Sequence, residues 1–330
     1  MKSLVQCFGA GALLVLAESS LPAAQPTADL AQQIVDLMSG APGVAAGRRV
    51  LHPKGFVGQG TFQASTEAST ISRAAHFRNG SVPVTVRLSD GGSDPGIPDN
   101  SSGANPRGMA IRFMTGTGTD IVAISHNGFL VGSGEDFLAL LKAQVATDPA
   151  KPHPWLIEEF LGSHPAALKF VQDPQPLPTS FATESFFANN AFRFVDAKGK
   201  KVAGRYQIVP VAGPKYFDEA AAKAKSPDFL GEDLKARLAQ GPVKFRLLVQ
   251  LAEPGDRTDD STIVWPETRK KIEMGVISIT SLVTDNAAAE RDLAFDPARI
   301  TDGIELSDDP LPALRSMAYA IALARRRGQR

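Results

Sequence analysis

The chain predicts an α+β fold, an antiparallel β-barrel with surrounding helices. Three observations carry that expectation. First, "VPVTVRLSD" (82–90) alternates with period two, with Val82, Val84, Val86 and Leu88 on one face and Thr85, Arg87 and Ser89 on the other. Second, "MAIRFMT" (109–115) and "TDIVAI" (119–124) are two short strand-like runs joined by "GTG", a hairpin signal. Third, further strands are expected at 191–196, 204–210, 243–252 and 275–284, while helical spacing falls around 217–225, 231–239 and 311–326. Many short strands with helices around them fit an antiparallel sheet or barrel better than a parallel α/β layer.

The remaining segments follow in order. "MKSLVQCFGAGALLVLAESSLPAAQPT" places one lysine before an apolar stretch from Cys7 to Ala17, then small residues and proline. That pattern predicts a secretory signal over residues 1–24, with a single domain over 25–330 and a periplasmic or secreted location. The stretch is too short to span a membrane, so no span is expected after signal removal. Loss of the signal would remove Cys7, the only cysteine, and with it any thiolate ligand, disulfide or cysteine nucleophile. "ADLAQQIVDLMSG" (28–40) has helical spacing and a glycine stop. A Gly-rich segment runs to about residue 62, "GEDFLALLKAQV" (134–145) reads as an amphipathic helix, and the proline-rich stretch 146–180 reads as a long connection.

Composition excludes several classes of function. The chain has 330 residues, 43% hydrophobic and 21% charged, with 35 basic and 35 acidic side chains. A zero net charge without a long basic run gives no electrostatic footprint for nucleic acid. The five histidines (His52, His76, His126, His153 and His164) include no pair at the three- or four-residue spacing of a helical zinc site. "SDGGSDPGIPDNSSG" (89–103) lacks the spacing of an EF-hand loop. "GFVGQG" (55–60) has the wrong glycine spacing for a dinucleotide fingerprint, and neither a phosphate loop nor a G-x-S-x-G elbow occurs.

One constellation remains. In "RSMAYAIALARRR" (315–327), Arg315 and Tyr319 are four apart, and Arg326 lies two turns beyond Tyr319. On a helix the three share one stripe. If Tyr319 ligated ferric iron as phenolate, ionising a phenol of pKa about 10 at neutral pH would cost on the order of 4 kcal/mol. The metal and Arg315 could offset that cost. Arg326 could pair with a buried propionate. The alternative is a surface Arg–Tyr helix with cation–π contacts. Upstream, "RRVLHPKGFVGQGTF" (48–62) places Arg49 three residues before His52. A histidine there could move a proton between the two oxygens of a peroxide. Ser89 could fix its tautomer, while Arg87 faces a second propionate. The alternative for His52 is a loop histidine bonded to backbone.

Together the stretches "RRVLHPKG", "VPVTVRLSD", "NPRGMAIRF", "DIVAISHNGF", "GEDFLALLKA" and "DDPLPALRSMAY" resemble the catalase family, in that family's order, over about residues 45–326. The resemblance is closest to short catalase-like haem peroxidases, which lack the long N-terminal arm and C-terminal helical domain of ordinary catalases. It implies a catalase-like haem-binding barrel holding haem b. His52 would be the distal acid/base and Ser89 its orienting partner. Tyr319 would be the axial iron ligand with Arg315 on its oxygen, and Arg49, Arg87 and Arg326 would meet propionates. The family's distal asparagine falls on Ser125 here, with Asn127 two residues later as the candidate substitute. Met317 and Ile321 also replace an aromatic and an acid of the family pattern.

The displaced asparagine favours peroxidase turnover over disproportionation. The expected activity is therefore reduction of hydrogen peroxide, or of organic peroxides, by a small-molecule reductant, with weak catalase activity. The expected state is a monomer or homodimer. Rival readings are a fatty-acid hydroperoxide-rearranging haem enzyme, a non-catalytic periplasmic haem-binding protein, and a β-barrel for another ligand.

Overall fold

The computed structural model describes residues 26–78 and 80–328; the expected signal, residues 1–24, lies outside them. Helix α1 (Ala28–Ser39) begins at Thr27, whose hydroxyl accepts the Leu30 N–H at 3.1 Å. Strand β1 (Gly55–Ala64) follows, then the short helix α2 (Ala68–Ile71) and strands β2 (Ser81–Ser89), β3 (Gly108–Phe113) and β4 (Thr119–Ile124). Strands β1 to β4 form an antiparallel meander, with Leu88 opposite Phe56 and Met109, and Ala110 opposite Val122. Helices α3 (Gly134–Ala146), α4 (Leu156–Ser163) and α5 (Pro165–Gln172) come next.

The second half supplies β5 (Phe186–Phe187), β6 (Phe192–Val195) and β7 (Lys201–Pro210), then α6 (Glu219–Lys223) and α7 (Phe229–Gln240). Strands β8 (Val243–Leu251) and β9 (Lys271–Leu282), helix α8 (Asn286–Asp292), strand β10 (Ile304–Leu306) and helix α9 (Leu311–Arg326) complete the order. Strand β9 pairs with both β1 and β8, and β8 also pairs with β7, so the sheet closes on itself. The ring runs β1–β2–β3–β4–β5–β7–β8–β9, and β10–β6 extends it along β7. Closure removes exposed strand edges from the ring. Phe62, Phe113, Phe186 and Phe245 fill its interior with no measurable exposure, and Phe62 meets Phe113 edge to face at 5.0 Å.

Strand β2 obeys the expected alternation, but both faces of its last four residues, Val86 to Ser89, are buried. Val84, Val86 and Leu88 join the barrel core. On the opposite face Arg87 and Ser89 are also buried, at 5% and 2% exposure. Helices cover that outer face: Leu30, Ile34 and Val35 of α1 pack against Leu311, Leu314 and Ala318 of α9, with Phe137 of α3 beside them. Arg87 and Ser89 therefore face the space between barrel wall and helices.

The structure corrects several element expectations. The Gly-rich segment up to residue 62 is largely strand β1, held between β2 and β9. Its glycines answer a close approach, because a Cβ at Gly60 would lie 1.9 Å from the Ser278 carbonyl oxygen, beside a bulge. The connection 146–180 contains α4 and α5. Glu158 accepts the Trp155 N–H at 2.7 Å to start α4, and Pro165 occupies the first turn of α5. Helix α8, "NAAAERD", is too short to show periodicity and was not expected. The shorter strands β5 and β10 were not expected either.

Candidate active site

A cavity of about 240 Å³ occupies the space between the barrel wall and α1, α3 and α9. His52, Ser89, Arg49, Arg87, Arg315, Arg326 and Tyr319 all line it. Ile34 and Val35 of α1, Val122 and Ile124 of β4, Phe129 and Phe137 supply apolar surface.

Helix α9 carries Tyr319 into the cavity. Arg315, one turn earlier, donates to Tyr319 Oη from Nε at 3.2 Å and from Nη2 at 3.0 Å. The guanidinium is itself anchored, since Nη1 donates to Asn190 Oδ1 at 2.8 Å. Asn190 Nδ2 donates to Asp309 Oδ2 at 2.8 Å, and the other oxygen of Asp309 accepts the Leu311 N–H at 2.9 Å. The phenol oxygen thus takes two N–H groups from a cation held in place by a buried chain. These two charge-assisted donors fix where the oxygen sits in the cavity.

His52 sits on the loop before β1 with φ 54°, the only positive φ at a non-glycine residue among the described residues. Left-handed backbone at such a residue costs on the order of 1–3 kcal/mol and persists where surrounding contacts enforce it. The contacts are visible. The His52 N–H donates to the Gly92 carbonyl at 2.8 Å, and Arg87 Nη2 donates to the His52 carbonyl at 2.5 Å. Ser89 Oγ lies 3.3 Å from Nδ1. Burial, reinforced by the neighbouring Arg87 charge, pushes the imidazole pKa down to about 4. His52 is therefore a neutral proton acceptor at physiological pH.

Arg49, Arg87 and Arg326 converge at one end of the cavity, as their positions imply, but around a residue that sequence reasoning missed. Glu290 of α8 accepts from Arg87 Nε at 2.6 Å and from Arg49 Nε at 2.7 Å. Burial would raise the Glu290 pKa, yet the two guanidinium groups outweigh it and hold the carboxyl below its ordinary value. Arg326 donates to the carbonyls of Arg291 and Leu293 at 2.9 and 2.8 Å. Burial pushes Arg87 and Arg326 down to about 10, still cationic at neutral pH. Three guanidinium groups against one carboxylate leave two positive charges at this end.

Asn127 does not line the cavity. Its loop turns back through Gly128 (φ 112°), and Asn189 grips both sides of it by donating to the carbonyls of His126 and Gly128. Ser125 is occupied elsewhere, its Oγ accepting the Arg107 N–H at 2.9 Å. The cavity lining among the described residues contains no side-chain amide. Of the missed residues, Asp309 had a legible signal, an acid two residues before the first helical position in "DDPLP". Asn190 and Glu290 had none, because their partners lie 125 and 203 residues away.

The barrel, the helices over its outer wall and the tyrosine–histidine cavity between them define the architecture of catalases. A fungal catalase structure superposes with a TM-score of 0.76 at 20% identity, covering 86% of this chain and 60% of that one. A bacterial catalase gives 0.74 at 23%, covering 86% and 58%. The Catalase family profile matches residues 45–330, and the chain belongs to the catalase family. It is 36% identical to a catalase-related peroxidase of Mycolicibacterium paratuberculosis, over 90% of this chain and 94% of that protein. It is 33% identical to one from Synechococcus elongatus, over 89% and 88%.

Membership of this family implies a haem cofactor, and the residues present fit one. The lining is mostly apolar, as a porphyrin requires. The two unbalanced positive charges at the arginine end match two propionates, and the Tyr319 oxygen is free of any carboxylate neighbour while held by Arg315. Among the described residues, no cluster of three or more His, Cys, Asp or Glu could hold a bare metal ion.

Proposed function

We propose that this protein is a haem b peroxidase that reduces hydrogen peroxide with an external small-molecule donor. One observation carries the reading: His52 with Ser89, and Tyr319 with Arg315, line a single cavity whose far end holds two excess positive charges. The names of the two catalase-related peroxidases agree with it and do not favour a rearranging enzyme or a non-catalytic haem carrier.

In this reading Tyr319 Oη would hold the iron, and Arg315 would fix that oxygen in place through its two N–H donors. Arg49, Arg87 and Arg326 hold the propionates, with Glu290 setting their spacing. Bound haem would supply an iron centre able to take the two oxidising equivalents of peroxide and pass them to the donor. His52, neutral because its pKa is depressed to about 4, takes the proton from one peroxide oxygen and returns it to the other. Ser89 fixes which imidazole nitrogen does this. The apolar surface of Val122, Ile124 and Phe129 excludes water from the reacting oxygens. Without a side-chain amide in the lining to orient a second peroxide, reduction by an external donor is favoured over disproportionation.

The test is to load the purified protein with hemin and record its absorption between 380 and 700 nm. Peroxide-dependent oxidation of guaiacol is then compared with oxygen release. A Soret band with guaiacol turnover exceeding oxygen release is expected. A protein that takes up no hemin, or one that only releases oxygen, would refute the reading.

A further inference from the structure

A second cavity, of about 130 Å³, adjoins the first at its arginine end. Arg49 and Arg326 line both spaces, so guanidinium groups form the shared wall. Pro53, Glu290 and Arg326 make a buried floor, while Arg48 and Arg291 stand exposed on the rim. Four of the lining residues are arginines and one is acidic.

The charges are not matched within the protein. Glu290 is engaged by Arg49 and by Arg87, which lies outside this pocket. Arg326 meets only backbone carbonyls. Arg291 pairs with Asp292 at 3.1 Å on the surface. The Arg48 side chain makes no hydrogen bond or ion pair among the described residues. Two propionates would balance the excess on the cavity side, but nothing would balance Arg48. With the floor balanced in this way, the Arg48 guanidinium at the mouth is the pocket's one unmatched charge among the described residues, and a single unmatched cation on a pocket of this size suits a small monoanion.

We propose that this pocket is the docking site of the electron donor, a small organic monoanion bearing a carboxylate or enolate. The proposal rests on the peroxidase reading and names the substrate class that reading leaves open. Hydrogen peroxide is neutral and has no use for the unmatched Arg48 guanidinium. A donor, in contrast, need not enter the first cavity, since electrons can cross the shared wall. The reaction balances as two donor monoanions AH⁻ plus H₂O₂ giving two A•⁻ and two H₂O. Each donor loses one electron and one proton, the O–O bond breaks, and the two protons complete the two waters.

The experiment uses hemin-loaded protein. Calorimetry measures binding of benzoate, a redox-inert monoanion, against neutral benzamide, in the wild type and in Arg48→Glu. Steady-state kinetics compares ascorbate, an anionic donor, with neutral guaiacol. The expected results are benzoate binding that benzamide does not reproduce and a benzoate Kd weakened about tenfold by Arg48→Glu. The KM for ascorbate should rise by a similar factor, while the KM values for guaiacol and peroxide and the Soret band move far less. Equal binding of benzoate and benzamide, or a variant whose benzoate Kd and ascorbate KM match the wild type, would overturn the proposal. Failure of wild-type guaiacol turnover would instead refute the peroxidase reading, and the calorimetry would still judge the pocket.

Discussion

Gly108 stands directly opposite Ser89 in the β2–β3 ladder, and a Cβ there would lie 2.8 Å from Ser89 Oγ and 3.1 Å from His52 Nδ1. The bare backbone at this point is what lets the imidazole lie against the barrel wall. Gly108→Ala should therefore push His52 out of register without touching Tyr319. The expected outcome is unchanged hemin content with a slower reaction with peroxide, read by rapid mixing. An unchanged rate constant would mean that the imidazole position does not depend on this contact.

Tyr319 and Arg315 make the complementary prediction. Replacing Tyr319 with Phe removes the oxygen that receives both guanidinium donors and leaves Arg315 with only its Asn190 contact. Tyr319→Phe should lose the Soret band or release hemin readily to a scavenging apo-protein. A wild-type spectrum in the variant would contradict the ligand assignment.

Replacing His52 with Ala should leave hemin bound, because the residue lies outside the Tyr319–Arg315–Asn190 chain. The reaction with peroxide should slow by a factor of about 100 or more. In the wild type the acid limb of that reaction should appear near the depressed pKa of about 4, with the rate falling as pH drops through it. A limb near pH 6.5, the ordinary imidazole value, would show that burial and Arg87 do not govern the group.

Strong local patterns were legible in the sequence, and long-range partnerships were not. The alternation in residues 82–90 gave β2 and the faces of Arg87 and Ser89, and helical spacing brought Arg315, Tyr319 and Arg326 into one cavity. Strand β1 was hidden because its glycines, needed for close approach to β9, carry no strand propensity. Glu290 was hidden because a seven-residue helix shows no period and its two arginine partners come from distant segments. Asn127 illustrates the reverse error. The resemblance offered Asn127 as substitute for the distal asparagine if the loop shifts, but Asn127 is absent from the cavity lining while Phe129, two residues on, is part of it.

Glu290 makes a prediction about the protein before haem is bound. Its carboxylate is the only acidic side chain within ion-pair distance of Arg49 or Arg87 among the described residues. Glu290→Gln would leave the buried Arg87 and Arg326 and the half-buried Arg49 together without a carboxylate, and breaking a buried pair costs about 3–5 kcal/mol. Two propionates should relieve part of that repulsion. Urea unfolding should thus show a larger loss for the hemin-free variant than for the hemin-loaded one. Equal losses in the two forms would mean that the propionates do not sit among these arginines.

His76 packs against the barrel core, outside the cavity lining, and sets part of the acid stability. It is fully buried, with both ring nitrogens unpartnered, and packs on Phe77 and Phe113 at centroid distances of 4.1 and 4.4 Å. Burial pushes its pKa down to about 3. Between the unfolded value of about 6.5 and that native value, the unfolded chain binds a proton that the native state does not. The contribution of His76 is therefore full above pH 6.5 and is lost as pH falls, by about 1.4 kcal/mol per pH unit. Other buried groups work against this trend: burial raises Asp90 to about 8 and Glu184 to about 7, so their contributions decline as pH rises. The whole stability curve mixes both signs, and the difference between wild type and His76→Leu isolates the histidine. That difference should shift in favour of the variant by about 1.4 kcal/mol for each unit below pH 6.5, measured by denaturant titration at several pH values. A difference that stays constant from pH 7 to pH 4.5 would show that His76 is not held neutral by the core.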